Sequence, residues 1–173
     1  MRVRTVCMLL LSAAPAARAQ SISSFGGGLL TPIGNFRHQA ASSGWGLAYR
    51  TEFPLPLRGF RIRTDIAYDQ IRGVAPVRTY EYQSIGANLV HYNGEVFYQY
   101  AGVSLMTART TLQSIGTSTH NSSRNEFALG AQAGIGVILL VFRVQPFLEA
   151  GIATSRANTV KGTWIPVRFG VRI

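Results

Sequence analysis

From residue 22 onward the chain alternates apolar and polar side chains at every second position, in eight separate runs. The runs are 22–31, 44–55, 60–69, 82–92, 96–108, 126–138, 143–154 and 163–173. A period of two is the mark of a β-strand, whose successive side chains point to opposite faces. In the third run Phe60, Ile62, Ile66 and Tyr68 share one face with Thr64, while Arg61, Arg63, Asp65, Ala67 and Asp69 share the other. In the second run Trp45, Leu47, Tyr49, Phe53 and Leu55 oppose Gly46, Ala48, Arg50, Glu52 and Pro54. No helical period of useful length interrupts this pattern. The connections alternate in length: 32–43, 70–81, 109–125 and 155–162 are long, and 56–59, 93–95 and 139–142 are short. A membrane barrel puts its long loops at one end and its tight turns at the other, and a soluble meander has no reason to do so.

The second face of these strands decides between water and membrane. It mixes charges with many glycines and alanines, as in Ala128, Gly130, Gln132, Gly134 and Gly136. Small residues suit the crowded inside of a narrow barrel. A soluble sandwich would present Lys, Glu and Asp there, and the chain has one lysine. Apolar residues make up 47% of the chain and charged residues 14%. Beyond the N-terminus no stretch approaches the ~20 apolar residues of a spanning helix, so a membrane crossing must use strands. The expected fold is therefore all-β: an eight-stranded, antiparallel, up-and-down transmembrane β-barrel over residues 20–173.

Residues 1–19 read as a signal peptide. Arg2 and Arg4 give a positive start, Val6 to Ala14 a short apolar run, and Ala17-Arg18-Ala19 a small-x-small cleavage pattern before Gln20. Cys7, the single cysteine, leaves with it, so the exported part has no thiol and no disulfide. Arg4-Thr5-Val6 is no lipobox. Without Arg2, Arg4 and Arg18 the chain keeps 14 basic residues against 7 acidic, a balance of +7. Export argues against nucleic acid as the counter-charge and for anionic lipid head groups.

Three segments resemble the eight-stranded group of the outer-membrane β-barrel superfamily, which includes the OmpA-type and OmpX-type barrels. Phe25-Gly26-Gly27-Gly28-Leu29-Leu30-Thr31-Pro32-Ile33-Gly34 is similar to a first strand with its external loop. The glycine-alanine run 128–136 resembles a tightly packed inner strand. Trp164-Ile165-Pro166-Val167-Arg168-Phe169-Gly170-Val171-Arg172-Ile173 resembles the C-terminal strand read by the barrel-assembly machinery, although it ends on Ile173 where the family usually ends on Phe or Trp. The resemblance implies a bacterial outer-membrane location and a partner in that machinery through 164–173. It does not imply an activity, because one scaffold serves structural, adhesive, resistance and enzymatic roles.

Three sets of residues follow as candidates. Arg50, Glu52, Arg63, Asp65, Glu149 and Arg168 point inward, as do Arg61, Asp69 and Arg172. If Leu57-Arg58 form a turn tip, Glu52 lies opposite Arg63 and Arg50 opposite Asp65, and the last hairpin sets Glu149 beside Arg168. Salt bridges between these neighbours are expected to close the lumen, in preference to an ion pathway. Trp45, Phe53, Phe60, Tyr68, Phe97, Phe127 and Phe169, with Tyr49, are expected in interfacial belts: Trp45, Tyr68 and Phe127 at the external rim, Phe53, Phe60 and Phe97 at the periplasmic rim. In the external loops Arg72, Arg78, Arg109, Arg124, Arg156 and Lys161, with Arg37, form a basic collar suited to membrane lipids, including lipopolysaccharide phosphates.

Catalysis finds little support. The family resemblance admits lipid A-modifying enzymes with a His and a Ser near the outer rim, but no carboxylate lies at a useful spacing beside His38 or His120, and His91 sits near a periplasmic turn. No metal-ligand spacing is visible around His120, and no cofactor is expected. Asn121-Ser122-Ser123 matches a glycosylation sequon only for a eukaryotic route. The reading is a monomeric, non-enzymatic barrel with a structural or surface-interaction role. A lipid A-modifying enzyme and a soluble, exported, lipocalin-like ligand carrier are the alternatives.

Overall fold

A computed structural model describes residues 21–112, 123–139, 144–157 and 161–173. Residues 1–20, with the expected signal peptide, and the segment holding His120 and Asn121 lie outside the described residues. The eight strands are β1 (Ile22–Pro32), β2 (Gly44–Pro54), β3 (Phe60–Arg72), β4 (Val77–Asn93), β5 (Phe97–Leu112), β6 (Ser123–Ile138), β7 (Gln145–Arg156) and β8 (Lys161–Arg172). Each pairs antiparallel with the next, and β1 also pairs with β8, so the sheet closes into an up-and-down barrel.

The residue pairing fixes the shape. Starting at Trp45, the ladder passes through Leu29, Val167, Ala150, Ile135, Gln99, His91 and Phe60. It returns to β2 at Leu55, whose N–H donates to the Phe60 carbonyl, ten residues from its origin. Such a stagger tilts strands by roughly 35–45° to the axis, and eight of them enclose a space just wide enough for side chains.

Two tight turns join strands at the lower end. Gly59 and Gly94 take φ of +80° and +79° there, values that glycine adopts without steric cost. At the upper end the structure departs from the expected long loops. β3 continues to Arg72 and β4 starts at Val77, so the connection expected over 70–81 shrinks to 73–76. β5 runs on to Leu112 and β6 begins at Ser123. Gly73 and Pro76 lie in this short connection, and β3 and β4 stay paired up to Arg72 and Thr79 outside the apolar zone, where antiparallel pairing needs only one covered face. β4, β5 and β6 reach 17, 16 and 16 residues, while the other five have 11 to 13. The barrel thus carries a taller wall on one side.

Inside, size is matched across the lumen. A Cβ added at Gly134 would come within 2.7 Å of the Tyr100 ring, and one at Gly151 within 2.7 Å of its hydroxyl. These glycines are the floor on which the large ring lies. Gly134→Val is expected to destabilise the barrel by about 1–3 kcal/mol through overpacking, read as a lower urea midpoint in detergent or vesicles, while Ala133→Val on the outer face next to it leaves the midpoint unchanged.

Candidate functional site

The lumen is filled in layers. Its upper end is apolar. The first connection, expected as an external loop, folds a short 3-10 helix, Gly34–His38, over the mouth and buries Phe36. The Phe36 ring meets Tyr80 edge-on at 5.2 Å and lies 6.3 Å from Trp164, which stacks on Tyr82 at 4.9 Å. Leu30, Ile71 and Met106 complete this plug.

The middle layer is charged. Glu149 is 2% exposed and is its hub. Arg50 grips it with two hydrogen bonds, Nη1 to Oε2 at 3.0 Å and Nη2 to Oε1 at 2.8 Å. Arg63 Nη1 donates to Oε2 at 2.9 Å, and the Tyr98 hydroxyl donates to the same oxygen at 3.1 Å. Arg63 also pairs through Nε with Asp65 at 3.0 Å and lies 4.1 Å over the Tyr100 ring. Asn88 and Gln132 donate to Asp65 Oδ2 at 2.9 and 3.1 Å. Just above, Arg168 Nη2 binds Asp69 at 2.8 Å. Burial of each guanidinium is offset by paired, charge-assisted hydrogen bonds.

The predicted hairpin registers and the actual ion pairs differ. Arg50 stands opposite Asp65, Glu52 opposite Arg63, and Glu149 opposite Arg168 in the sheet. Yet Arg50 and Arg63 reach across the lumen to Glu149, Arg168 reaches to Asp69, and Glu52 takes Arg172 at 3.3 Å and Arg61 at 3.7 Å. Directly opposed Cβ atoms are about 5 Å apart, too near for a long guanidinium to fold back onto its neighbour. Arg50, Arg63 and Arg168 extend instead three or four strands around the ring, while Arg61 reaches Glu52 diagonally on the neighbouring strand. Asn88, Gln132, Tyr92 and Phe36 were not among the candidates. The inward parity of Asn88 and Gln132 was the available signal, and nothing local marks Phe36 as a plug.

Outward, the strands carry an apolar coat from Phe25, Leu29, Leu47, Ile66, Ile85, Val103, Leu105, Leu129, Ile135, Leu148, Ile152 and Val167, all exposed. Trp45 and Tyr68 contact each other at 5.5 Å on the upper part of this coat, and Phe127 stands 90% exposed nearby on β6. Phe53, Phe60 and Phe97 lie at the lower strand ends, Phe60 against His91 at 4.4 Å. Phe169 faces out beside Leu148 and Gly27, and Tyr49 is also exposed, its hydroxyl 3.1 Å from Ser23 Oγ.

The basic collar is corrected. Arg72, Arg78, Arg109, Arg124, Arg156 and Lys161 are exposed but stand on strand ends, not in loops. Arg72, Arg109, Arg156 and Lys161 share the parity of the outward apolar residues. Arg124 sits on the other face of the tall wall, 2.7 Å from Glu126, and Arg109 lies 4.0 Å from Glu81. Arg78 stands at the register shift between Val77 and Thr79. Arg37 and His38 belong to the 3-10 helix. Among the described residues no three His, Cys, Asp or Glu side chains converge as a metal site would require.

An apolar outside around a charged, filled inside is the polarity of the membrane-type up-and-down barrel, the reverse of a water-soluble one. Among solved structures, the attachment invasion locus protein Ail of Yersinia pestis has this fold. It is 20% identical, with 89% of this chain and 99% of its own covered and a TM-score of 0.58. A major outer membrane protein from Thermus thermophilus is 11% identical, with 88% and 97% covered and a TM-score of 0.56. The N-terminal β-barrel domain of Pseudomonas aeruginosa OprF is 9% identical, with 90% and 98% covered and a TM-score of 0.53. No family model matches the chain, and no curated protein matches its sequence. At these identities the likeness is one of fold: the eight-stranded barrel of the outer-membrane group.

Because Glu149 holds two guanidiniums, its removal takes away the ion-pair partner of Arg50 and leaves Arg63 with Asp65 alone. Glu149→Leu is expected to cost about 3–5 kcal/mol, seen as a lower unfolding temperature, and Glu149→Gln less than that. Equal stability of Glu149→Leu and the unaltered barrel would contradict the hub.

Proposed function

We propose that the protein is an integral barrel of the bacterial outer membrane with no catalytic role, exported through a cleaved N-terminal signal peptide. The observation that carries this is the continuous apolar coat on the outside of a closed sheet. A patch of that extent has no stable place in water. It matches the apolar band and aromatic girdles by which such barrels sit in lipid. The plugged, ion-paired lumen favours a structural or surface-interaction role over transport.

Two features of the upper end support a surface role. First, Arg72, Arg109, Arg156 and Lys161 extend the outward faces of four strands just beyond the apolar coat, where guanidinium and ammonium groups meet lipid phosphates. Second, β4, β5 and β6 continue past the apolar coat as a paired sheet, which holds the charged side chains on it in fixed places. The C-terminal strand 164–173 is the segment available to the assembly machinery.

Expressed in a Gram-negative host, the protein is expected in the outer-membrane fraction and to migrate differently on a gel before and after heating. A water-soluble, detergent-independent monomer would overturn the membrane reading, and an altered lipid A mass spectrum would overturn the non-enzymatic one. Changing Arg72, Arg109, Arg156 and Lys161 together to Gln is expected to reduce binding to lipopolysaccharide-containing vesicles several-fold at low salt and to flatten its salt dependence. Undiminished binding would remove the phosphate contact.

A further inference from the structure

Two polar side chains interrupt the outward apolar coat near its lower rim. On β4 the outward positions Ile85, Ala87 and Leu89 are followed by His91. On β5 Gln99 stands between Phe97 and Ala101. The two polar residues are directly opposite each other in the sheet, with Gln99 Nε2 3.4 Å from His91 Nδ1. An amide N–H only donates, so Nδ1 accepts and the ring proton sits on Nε2. That nitrogen is turned toward the β2–β3 turn, since a Cβ at Gly59 would lie 3.6 Å from it. The Phe60 ring packs against the imidazole at 4.4 Å. Polar groups set against hydrocarbon are costly and mark sites of function in membrane proteins.

His91 and Gln99 stand at the low end of a shallow trough of about 690 Å³ on the outside of the barrel. Ala101, Ala133 and Ala150 line it beside the larger Leu89, Ile135 and Ile152. The trough follows the ladder upward from His91 on β4 to Ile165 on β8, four inter-strand steps or about 19 Å. One acyl chain spans half of the ~30 Å hydrocarbon core, so the trough is long enough to seat one. Below it the rim carries one exposed charge of each sign, Arg58 on the β2–β3 turn and Glu95 on the β4–β5 turn. An apolar furrow that ends in an N–H donor, a cation and a carboxylate is complementary to an amphiphile whose head holds a phosphate and an ammonium. A second copy seated in the trough makes no use of the charges below it.

We propose that this trough binds a phospholipid with an ethanolamine-type head group. One acyl chain lies along Ala101 and Ala133. The phosphate takes the Nε2–H of His91 and the guanidinium of Arg58, and the ammonium meets Glu95. The inference rests on the membrane reading above, which gives the lower rim to the periplasmic leaflet.

The test places the folded barrel in phosphatidylcholine bicelles and titrates phosphatidylethanolamine or phosphatidylglycerol, reading the His91 ring and Gln99 side-chain resonances. Saturable shifts with phosphatidylethanolamine are expected, and weaker ones with phosphatidylglycerol, which lacks the ammonium. His91→Leu is expected to weaken binding about tenfold, followed on the Gln99 resonance. It sets an apolar side chain on an apolar face, so the barrel still folds. Ala133→Phe fills the trough and removes the shifts. Glu95→Gln, on an exposed turn, brings the two lipids to equal affinity. Equal shifts from the two lipids in the unaltered barrel, or unchanged affinity in His91→Leu, would overturn the proposal. Dimers that Ala133→Phe abolishes would also overturn it and assign the trough to a second copy. A barrel that prefers phosphatidylethanolamine but is absent from the outer membrane sinks the membrane reading alone. One that resides there without the preference sinks this proposal alone.

Discussion

Closure of the hydrogen-bonded ring governs everything else in this molecule. An apolar surround cannot satisfy a free backbone N–H or C=O, so the sheet must leave no open edge within it. The pairing of β1 with β8 meets that demand. Eight strands with a ten-residue stagger then set one radius, and that radius leaves room for side chains and little else. Glycines beneath Tyr100, the filled lumen and the reach of Arg50, Arg63 and Arg168 across the ring all follow from it.

The charged centre is best understood as a consequence of that radius. Arginines and carboxylates from four strands, β2, β3, β7 and β8, line the inside, and a narrow lumen cannot hydrate them freely. Isolated burial would cost several kcal/mol per ion. Convergence of Arg50, Arg63 and Tyr98 on Glu149, and of Arg63, Asn88 and Gln132 on Asp65, offsets that cost. The network sits between an aromatic plug above and the Glu52 cluster below, so the two ends are chemically unlike. The upper end is sealed by Phe36 and ringed outside by cations. The lower end is polar, with Glu52 set among Arg61, Arg172 and the Tyr92 hydroxyl.

Function, on this view, belongs to the ends. The wall is committed to its surroundings and the centre to its own charges. What varies is how far the strands continue past the apolar coat. There β4, β5 and β6 continue pairing through residues that a sequence reading assigns to loops, and they carry Arg109, Arg124 and Glu81 on an ordered sheet instead of a mobile loop. An ordered sheet presents fixed charge positions, which makes a more selective surface than a loop of the same composition.

Sequence by itself determined the eight strands, their inward and outward faces, and the registers of the β2–β3 and β7–β8 hairpins, because the period of two is a local property and a hairpin pairs segments close in the chain. It also marked the charged residues as inward. Three things were decided only by the tertiary structure. The ion-pair partners depend on which strands face each other across the closed ring, so Glu149 meets Arg50 and Arg63 although its ladder neighbour is Arg168. The strand ends depend on pairing that runs through residues expected in loops, up to Arg72 and from Val77 onward on either side of the short 73–76 connection. The plug depends on a connection folding back so that Phe36 meets Tyr80 and Trp164, residues 44 and 128 positions away. Each is a contact between segments distant in the chain, fixed by the barrel's radius and stagger, and neither quantity is written in any single strand.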